Sequence, residues 1–214
     1  MKFLIATAMA AVALALAQSP PSHEHGFSGA EKWAHVFDDP QRDAWQKPHE
    51  VIQALALKPD ATVADIGAGT GYFAVRLASM LKAGRVYAVD VEPDMVKYLG
   101  ERAQRDGLPN MIAVQAAADS ARLPGKVDLA LFVDVYHHID DRSRYFRGLR
   151  KSLNPGAHVA IIDFRLDSPD GPPAAARIAP ESVKAEMKKA GYVLVAEHAF
   201  LPRQYFLVFR GAYM

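Results

Sequence analysis

The chain has 214 residues, half of them hydrophobic, and a formal charge of +1. That length fits one domain of ordinary size, and that hydrophobic share supports a core and excludes a disordered chain. Lys and Arg are spread along the chain, without the dense basic face that nucleic acid needs, and the absence of cysteine removes disulfides, thiolate metal sites and cysteine nucleophiles.

The N-terminus reads as a secretory signal peptide. Lys2 gives a positive start, and Phe3 to Ala17 is apolar apart from Thr7. Ala15-Leu16-Ala17 has the small-x-small pattern of a cleavage site, and Gln18-Ser19-Pro20-Pro21 follows it. The apolar run is about 15 residues, short of the roughly 20 that a span requires. Residues 1–17 are therefore expected to be removed and the mature chain exported, to the periplasm, with no membrane span. An uncleaved anchor or a misplaced start is the alternative. Residues 18–47 form a tail and a possible lid, and 48–214 the main domain. His23-Glu24-His25 reads as solvated tail, with metal binding as the less favoured option.

Ala30 to Phe37 has helical character, and Asp38-Asp39-Pro40 stops it. Pro48 suits the first turn of the next helix, with Val51, Ile52, Leu55 and Leu57 as its apolar side. Thr62–Ile66 is a strand, Tyr72–Leu81 a helix that Gly84 closes as a C-cap, and Val86–Val89 a second strand. Pro93–Arg105 is a helix with Gly107 beyond its end, and Ile112–Gln115 and Val127–Val133 are strands. Arg142–Leu153 reads as a helix halted by Asn154-Pro155-Gly156, and His158–Phe164 as the fifth strand. Pro180–Ala190 is a helix closed by Gly191. Tyr192–Glu197 and Gln204–Phe209 are the last two strands, with Leu201-Pro202-Arg203 between them. Strands alternating with helices imply an α/β fold, its mainly parallel seven-stranded sheet covered by helices on both faces. The last two strands lack room for a crossover and must pair antiparallel, as a hairpin.

The strongest chemical signal is Asp65-Ile66-Gly67-Ala68-Gly69-Thr70-Gly71, which follows a strand and opens a helix. Its glycines allow a tight turn and a close approach to a ligand. A dinucleotide loop needs its third glycine at the position of Tyr72, and a phosphate-binding P-loop needs a Gly-Lys-Ser/Thr that is missing. Asp65 would repel a pyrophosphate but can receive an ammonium group. S-adenosylmethionine carries an ammonium and a sulfonium and no phosphate.

From Pro48 to Phe209 the sequence resembles the class I S-adenosylmethionine-dependent methyltransferases, loosely those acting on ubiquinone and menaquinone. Val63 to Gly71 is similar to the family's first motif, and Val89-Asp90-Val91-Glu92-Pro93 to its second. The resemblance implies a Rossmann-like fold. It implies that Asp65, Gly67, Ala68, Gly69, Thr70 and Gly71 meet the methionine end of the cofactor. Asp90, 19 residues after Gly71, would accept the ribose hydroxyls, Val91 and Met95 would lie against adenine, and Ala118-Asp119 would read its amino group. Asp128 to Asp134 is similar to the fourth-strand motif, which places Asp134 at the cofactor. Asp90 could instead cap the helix that begins near Pro93, and Asp119 a short turn.

Asp134-Val135-Tyr136-His137-His138 follows the fourth strand and faces the expected methyl donor. His137 is the candidate general base, with local packing of both histidines as the alternative. Trp33 and the segment from Asp38 to Pro48 suit either a lid or a helix docked for stability. These readings imply methyl transfer to a small-molecule or lipid-like acceptor, or an exported protein that binds the cofactor without catalysis.

Overall fold

The computed structural model describes residues 29–212. The signal-peptide reading and His23-Glu24-His25 lie outside the described residues.

Among the described residues three short helices come first: α1 (Ala30–Phe37), α2 (Arg42–Gln46) and α3 (Pro48–Ala54). Helix α2 was not expected from the sequence. It is separated from α3 by Lys47, which turns through a left-handed φ of 46°. The residue before a proline avoids helical geometry, so Pro48 ends one helix and starts the next.

The remaining order is β1 (Thr62–Ile66), α4 (Tyr72–Met80), β2 (Arg85–Asp90), α5 (Pro93–Arg105), β3 (Met111–Gln115), β4 (Val127–Val133), α6 (Arg142–Leu149), β5 (Leu153–Phe164), α7 (Pro180–Lys189), β6 (Tyr192–His198) and β7 (Gln204–Gly211). The seven strands form one sheet in the order β3-β2-β1-β4-β5-β7-β6. Strands β1 to β5 pair in parallel, and β7 pairs antiparallel with both β5 and β6. This is the expected mainly parallel, seven-stranded α/β sheet with an antiparallel C-terminal hairpin.

The core lies on both faces of the sheet. Val63, Leu129, Leu131, Ile162 and Phe206 pack under α3, α4 and α5 against Ile52, Phe73, Leu77 and Leu99. Ala64, Ile66, Phe132, Ile161 and Leu207 pack on the other face against Tyr136, Phe146, Leu149 and Met187. Successive strand residues alternate between the faces. Asp65 therefore leaves β1 on the α4 side, and Asp163 leaves β5 on the α6 side.

Two local expectations are corrected. Gly84 does not cap α4: the helix ends at Met80 with Leu81 as its cap. A Cβ on Gly84 would stand 2.3 Å from the Ala61 carbonyl oxygen, so this glycine serves a close backbone approach before β2. Helix α6 ends at Leu149, Arg150–Ser152 is a 3-10 turn, and Leu153 already pairs with Val127. The Asn154-Pro155-Gly156 stretch thus lies inside β5, where Gly156 at φ +82° carries an irregularity in the strand.

The chain runs outward from β1 through β2 to β3, then returns to the other side of β1 at β4. That reversal opens a crevice at the carboxyl ends of β1 and β4, where ligands bind in such sheets. No helix of the described residues is long and apolar enough to cross a membrane.

Candidate active site

At the end of β1 the Asp65 carboxyl is 3% exposed, and its Oδ2 has no hydrogen-bond partner. Burial pushes this carboxyl up to about 7, against the bond from the Ala74 backbone N–H and the positive charge of Arg42, while the charge of Asp90 adds to the rise. The loop that follows is tied to β2: the backbone N–H groups of Gly67 and Ala68 both donate to the Val89 carbonyl, at 2.8 and 2.9 Å. Gly67, Gly69 and Gly71 all take positive φ, at 70°, 55° and 98°. A Cβ on Gly67 would come within 2.3 Å of Val135 Cγ2, and one on Gly69 within 3.2 Å of Phe37 Cδ2. The glycines are needed for both conformation and space. Thr70 is buried between them, and its Oγ1 also lacks a partner.

Asp90, at the end of β2, reaches back to this loop. Its Oδ2 accepts from Gly69 N–H at 2.8 Å and its Oδ1 from Glu92 N–H at 3.0 Å. Burial raises its pKa, and the backbone bonds from Glu92, Gly69 and Val91 pull it back. The helix-cap alternative for Asp90 fails, because Glu92 is the N-cap of α5 and no side chain caps that end. A carboxylate offers about four lone-pair directions, so Asp90 keeps acceptor capacity for a ligand. Val91 beside it is exposed, whereas Met95 is buried in α5. Ala118 and Asp119 lie beyond the end of β3, both exposed, in a turn closed by hydrogen bonds between Ala117 and Ser120. They share the carboxyl edge of the sheet with Asp90 but take no part in the network around the glycine loop.

Asp134 follows β4 in a left-handed conformation, φ 59°, which is rare for a residue with a side chain. Three neighbours engage it. Gln204 Nε2 donates to its Oδ1, Arg42 Nη2 lies 3.7 Å from its Oδ2, and its backbone N–H donates to the Ile162 carbonyl at 2.9 Å. Burial raises its pKa, and the charge of Asp163 adds to the rise.

His137 lies in the 3-10 turn Tyr136–His138. Its Nδ1 is 2.8 Å from Asp163 Oδ2 and 3.0 Å from Oδ1. Both side chains are nearly inaccessible, at 5% and 3%. Burial alone would lower the imidazole pKa, but the hydrogen bond and charge of Asp163, with the charge of Asp134, carry it above its usual value. Tyr205 stands opposite Asp163 across the β5–β7 ladder, and its buried hydroxyl has no partner. His138 is exposed and rests against His137, ring centroids 4.1 Å apart.

The segment before the sheet covers this edge. Phe37 faces Gly69, and Trp33 stacks on Phe37 at 5.5 Å. Arg102 Nη1 donates to both Asp38 Oδ2 at 2.7 Å and the Thr70 carbonyl at 2.8 Å. Tyr72, the first residue of α4, donates its hydroxyl to Asp43. Gln46 is fully buried, and its amide donates to Gln204 Oε1 at 2.5 Å. Trp45 packs against Phe164 at the end of β5. This segment thus contacts the glycine loop and the ends of β4 and β5.

A family described as a methyltransferase domain matches residues 63–156, the stretch that holds the glycine loop, Asp90 and Asp134. A crystal structure of an S-adenosylmethionine-dependent methyltransferase from Aquifex aeolicus superposes with a TM-score of 0.78 at 26% identity, covering 84% of this chain and 97% of that one. Residues 63–156 are thus similar to a methyltransferase domain, and the fold around them is that of a solved S-adenosylmethionine-dependent methyltransferase. Among curated relatives of this chain, a 2-phytyl-1,4-naphtoquinone methyltransferase from Nostoc punctiforme is 31% identical over 129 residues, covering 56% of each protein. An erythromycin 3''-O-methyltransferase from Saccharopolyspora erythraea is 26% identical over 140 residues, 62% of this chain and 45% of the relative. The chain spans only about half the length of these two relatives.

The residues present fit the family's cofactor. The orphaned Asp65 oxygen asks for a donor or a cation, which an ammonium group satisfies and a phosphate does not. The glycine cradle excludes a Cβ, and Asp90 keeps some acceptor capacity one strand away. Sequence reasoning missed Arg42, Gln46, Asp163, Gln204 and Tyr205. Asp163 carried a signal, since it closes an apolar strand as Asp65 and Asp90 do. Arg42 and Gln46 carried none, because their place depends on how a short segment folds back over the sheet.

Proposed function

We propose that this methyltransferase binds S-adenosylmethionine along Asp65 to Gly71, Asp90, Val91, Met95, Ala118, Asp119 and Asp134, and methylates a small-molecule or lipid-like acceptor. The observation that carries the reading is the buried Asp65 carboxyl with one unpartnered oxygen, beside three left-handed glycines. When bound, the cofactor supplies a methyl group on a sulfonium, already a good leaving group, so alignment does most of the work. Residues 30–47 serve as the lid that excludes water from the crevice. His137 is the base for an acceptor that must lose a proton. A carboxylate can only accept at Nδ1, so that nitrogen carries the hydrogen and Nε2 is left to take a proton.

The test is a tritiated-methyl transfer screen on periplasmic and membrane extracts, run beside titration calorimetry with S-adenosylmethionine. Binding with transfer to a small or lipid product supports the reading, and absence of binding removes it. A second reading is an exported, non-catalytic binder of the cofactor. The apolar segment Phe3 to Ala17 favours it, since export would part the chain from a cofactor made in the cytoplasm. Binding without transfer to any extract component would favour that reading.

A further inference from the structure

We propose that Arg42 is the carboxylate-recognising residue of the cofactor site, its guanidinium taking the α-carboxylate of the amino-acid end of S-adenosylmethionine between Asp65 and Asp134. This rests on the reading of the glycine loop as the cofactor site.

Charge matching motivates it. The amino-acid end of this cofactor carries an ammonium and a carboxylate, and the sulfonium lies beside them. The crevice offers acids for the two cations, Asp65 at the end of β1 and Asp134 at the end of β4. A cation for the carboxylate must come from elsewhere, and the loop from Asp65 to Tyr72 holds no basic residue. Arg42 supplies one from α2. Its side chain is 15% exposed, and its charge acts on both Asp65 and Asp134.

The guanidinium is held in place from three sides. Nε donates to Gln46 Oε1 at 3.1 Å, and Nη1 donates to the Phe37 carbonyl at 2.9 Å. The guanidinium carbon lies 4.1 Å from the centroid of the Tyr72 ring, at the start of α4. Gln46 is itself fixed by Gln204. These contacts spend Nε and one face of the fork, and they leave Nη2 with only the long 3.7 Å pairing to Asp134. That is a preorganised donor aimed into the crevice with a loose partner that a closer carboxylate would outcompete. Arg76 also lies over the Tyr72 ring but is committed to Asp43 at 3.0 Å. Arg102 is committed to Asp38 and the Thr70 carbonyl.

The test compares S-adenosylmethionine with its decarboxylated form, which keeps the sulfonium and amine but lacks the carboxylate. Titration calorimetry on the full chain reads both affinities in wild type, Arg42→Gln and Arg42→Lys. Wild type should favour the carboxylate-bearing ligand at least tenfold. Arg42→Gln should lose at least tenfold for S-adenosylmethionine and less than twofold for the decarboxylated form, collapsing the preference. Arg42→Lys keeps the charge if the glutamine variant fails to fold, and should lose several-fold for S-adenosylmethionine alone. Equal weakening toward both ligands would assign Arg42 to lid closure and overturn the inference, as would unchanged preference in either folded variant. Wild type binding neither ligand would overturn the cofactor reading and this assignment with it. Wild type binding both alike would overturn this assignment only.

Discussion

Asp163 Oδ2 and His137 Nδ1 meet at 2.8 Å, tying the turn after β4 to the end of β5. The Asp163 carboxyl is fixed on its far side as well, since Oδ1 accepts the Phe164 N–H at 2.8 Å. Its place in the ladder sets the orientation of the imidazole. If His137 removes a proton from the acceptor, His137→Gln should lower kcat by roughly 10²- to 10⁴-fold, the usual scale for a positioned base. Cofactor affinity should stay within about twofold. Asp163→Asn should lower kcat less and move the acid limb of the pH–rate profile downward, because the carboxylate that raises the imidazole pKa is gone. Steady-state kinetics across pH with an identified acceptor check both, and an unmoved limb in Asp163→Asn would leave the pair a purely structural contact.

Asp90→Ala should weaken S-adenosylmethionine by roughly 1.5–3 kcal/mol, the range for hydrogen bonds to a charged group. The structure adds a second consequence. The variant also releases the Gly69 N–H that Asp90 holds at 2.8 Å. Asp90→Asn keeps one acceptor oxygen and should recover part of the loss. Calorimetry on the two variants separates the contributions, and wild-type affinity in Asp90→Ala would reject the ribose assignment.

Much of the fold was legible because each strand is a short apolar run with a turn or a helix on either side. The glycine loop was legible because its spacing differs from that of the dinucleotide and phosphate loops. Asp65, Asp90 and Asp134 were legible as polar residues ending apolar strands. Gly84 misled because a glycine after a helix suggests a cap, whereas this one answers a contact with Ala61 that only tertiary structure creates. The Arg42–Gln46–Gln204–Asp134 network was hidden for the same reason. Gln46 and Gln204 are far apart in sequence, and nothing in either neighbourhood announces that both are buried.

Gly69→Val tests the loop through its backbone. Gly69 is left-handed, and its Cβ position lies 3.2 Å from the Phe37 ring. A branched residue there meets backbone strain of about 1–2 kcal/mol and a crowded lid contact. Unliganded Tm should fall by a few degrees for a domain of this size. Cofactor affinity should fall at least tenfold, about 1.4 kcal/mol. Because a ligand that binds only the folded state raises Tm, wild type should show a thermal shift with S-adenosylmethionine and Gly69→Val little or none. Equal shifts in both proteins would mean that the cofactor does not pass this loop.

Asp65 gives the site a pH dependence whose sign is fixed by its surroundings. Burial holds the carboxyl at about 7, against 3.8 as the ordinary value, so the unliganded folded chain binds more protons between those limits than the unfolded chain does. Its contribution to stability is therefore full below about 3.8 and declines as the pH rises through about 7. A cationic ligand prefers the ionised carboxylate and must expel the proton when binding below that pH. Affinity for S-adenosylmethionine should then climb from pH 6 to 8, by up to about tenfold per unit below the pKa. The thermal shift it produces should grow over the same range while unliganded Tm drifts down. Calorimetry at pH 6 in two buffers of different ionisation enthalpy should detect the released proton. Asp65→Asn cannot ionise, so it should bind weakly, with most of the pH slope removed. The slope that survives would belong to Asp134, whose carboxyl is raised by burial and by Asp163. A wild-type affinity that is flat from pH 6 to 8 would mean that the ligand does not meet the Asp65 carboxylate.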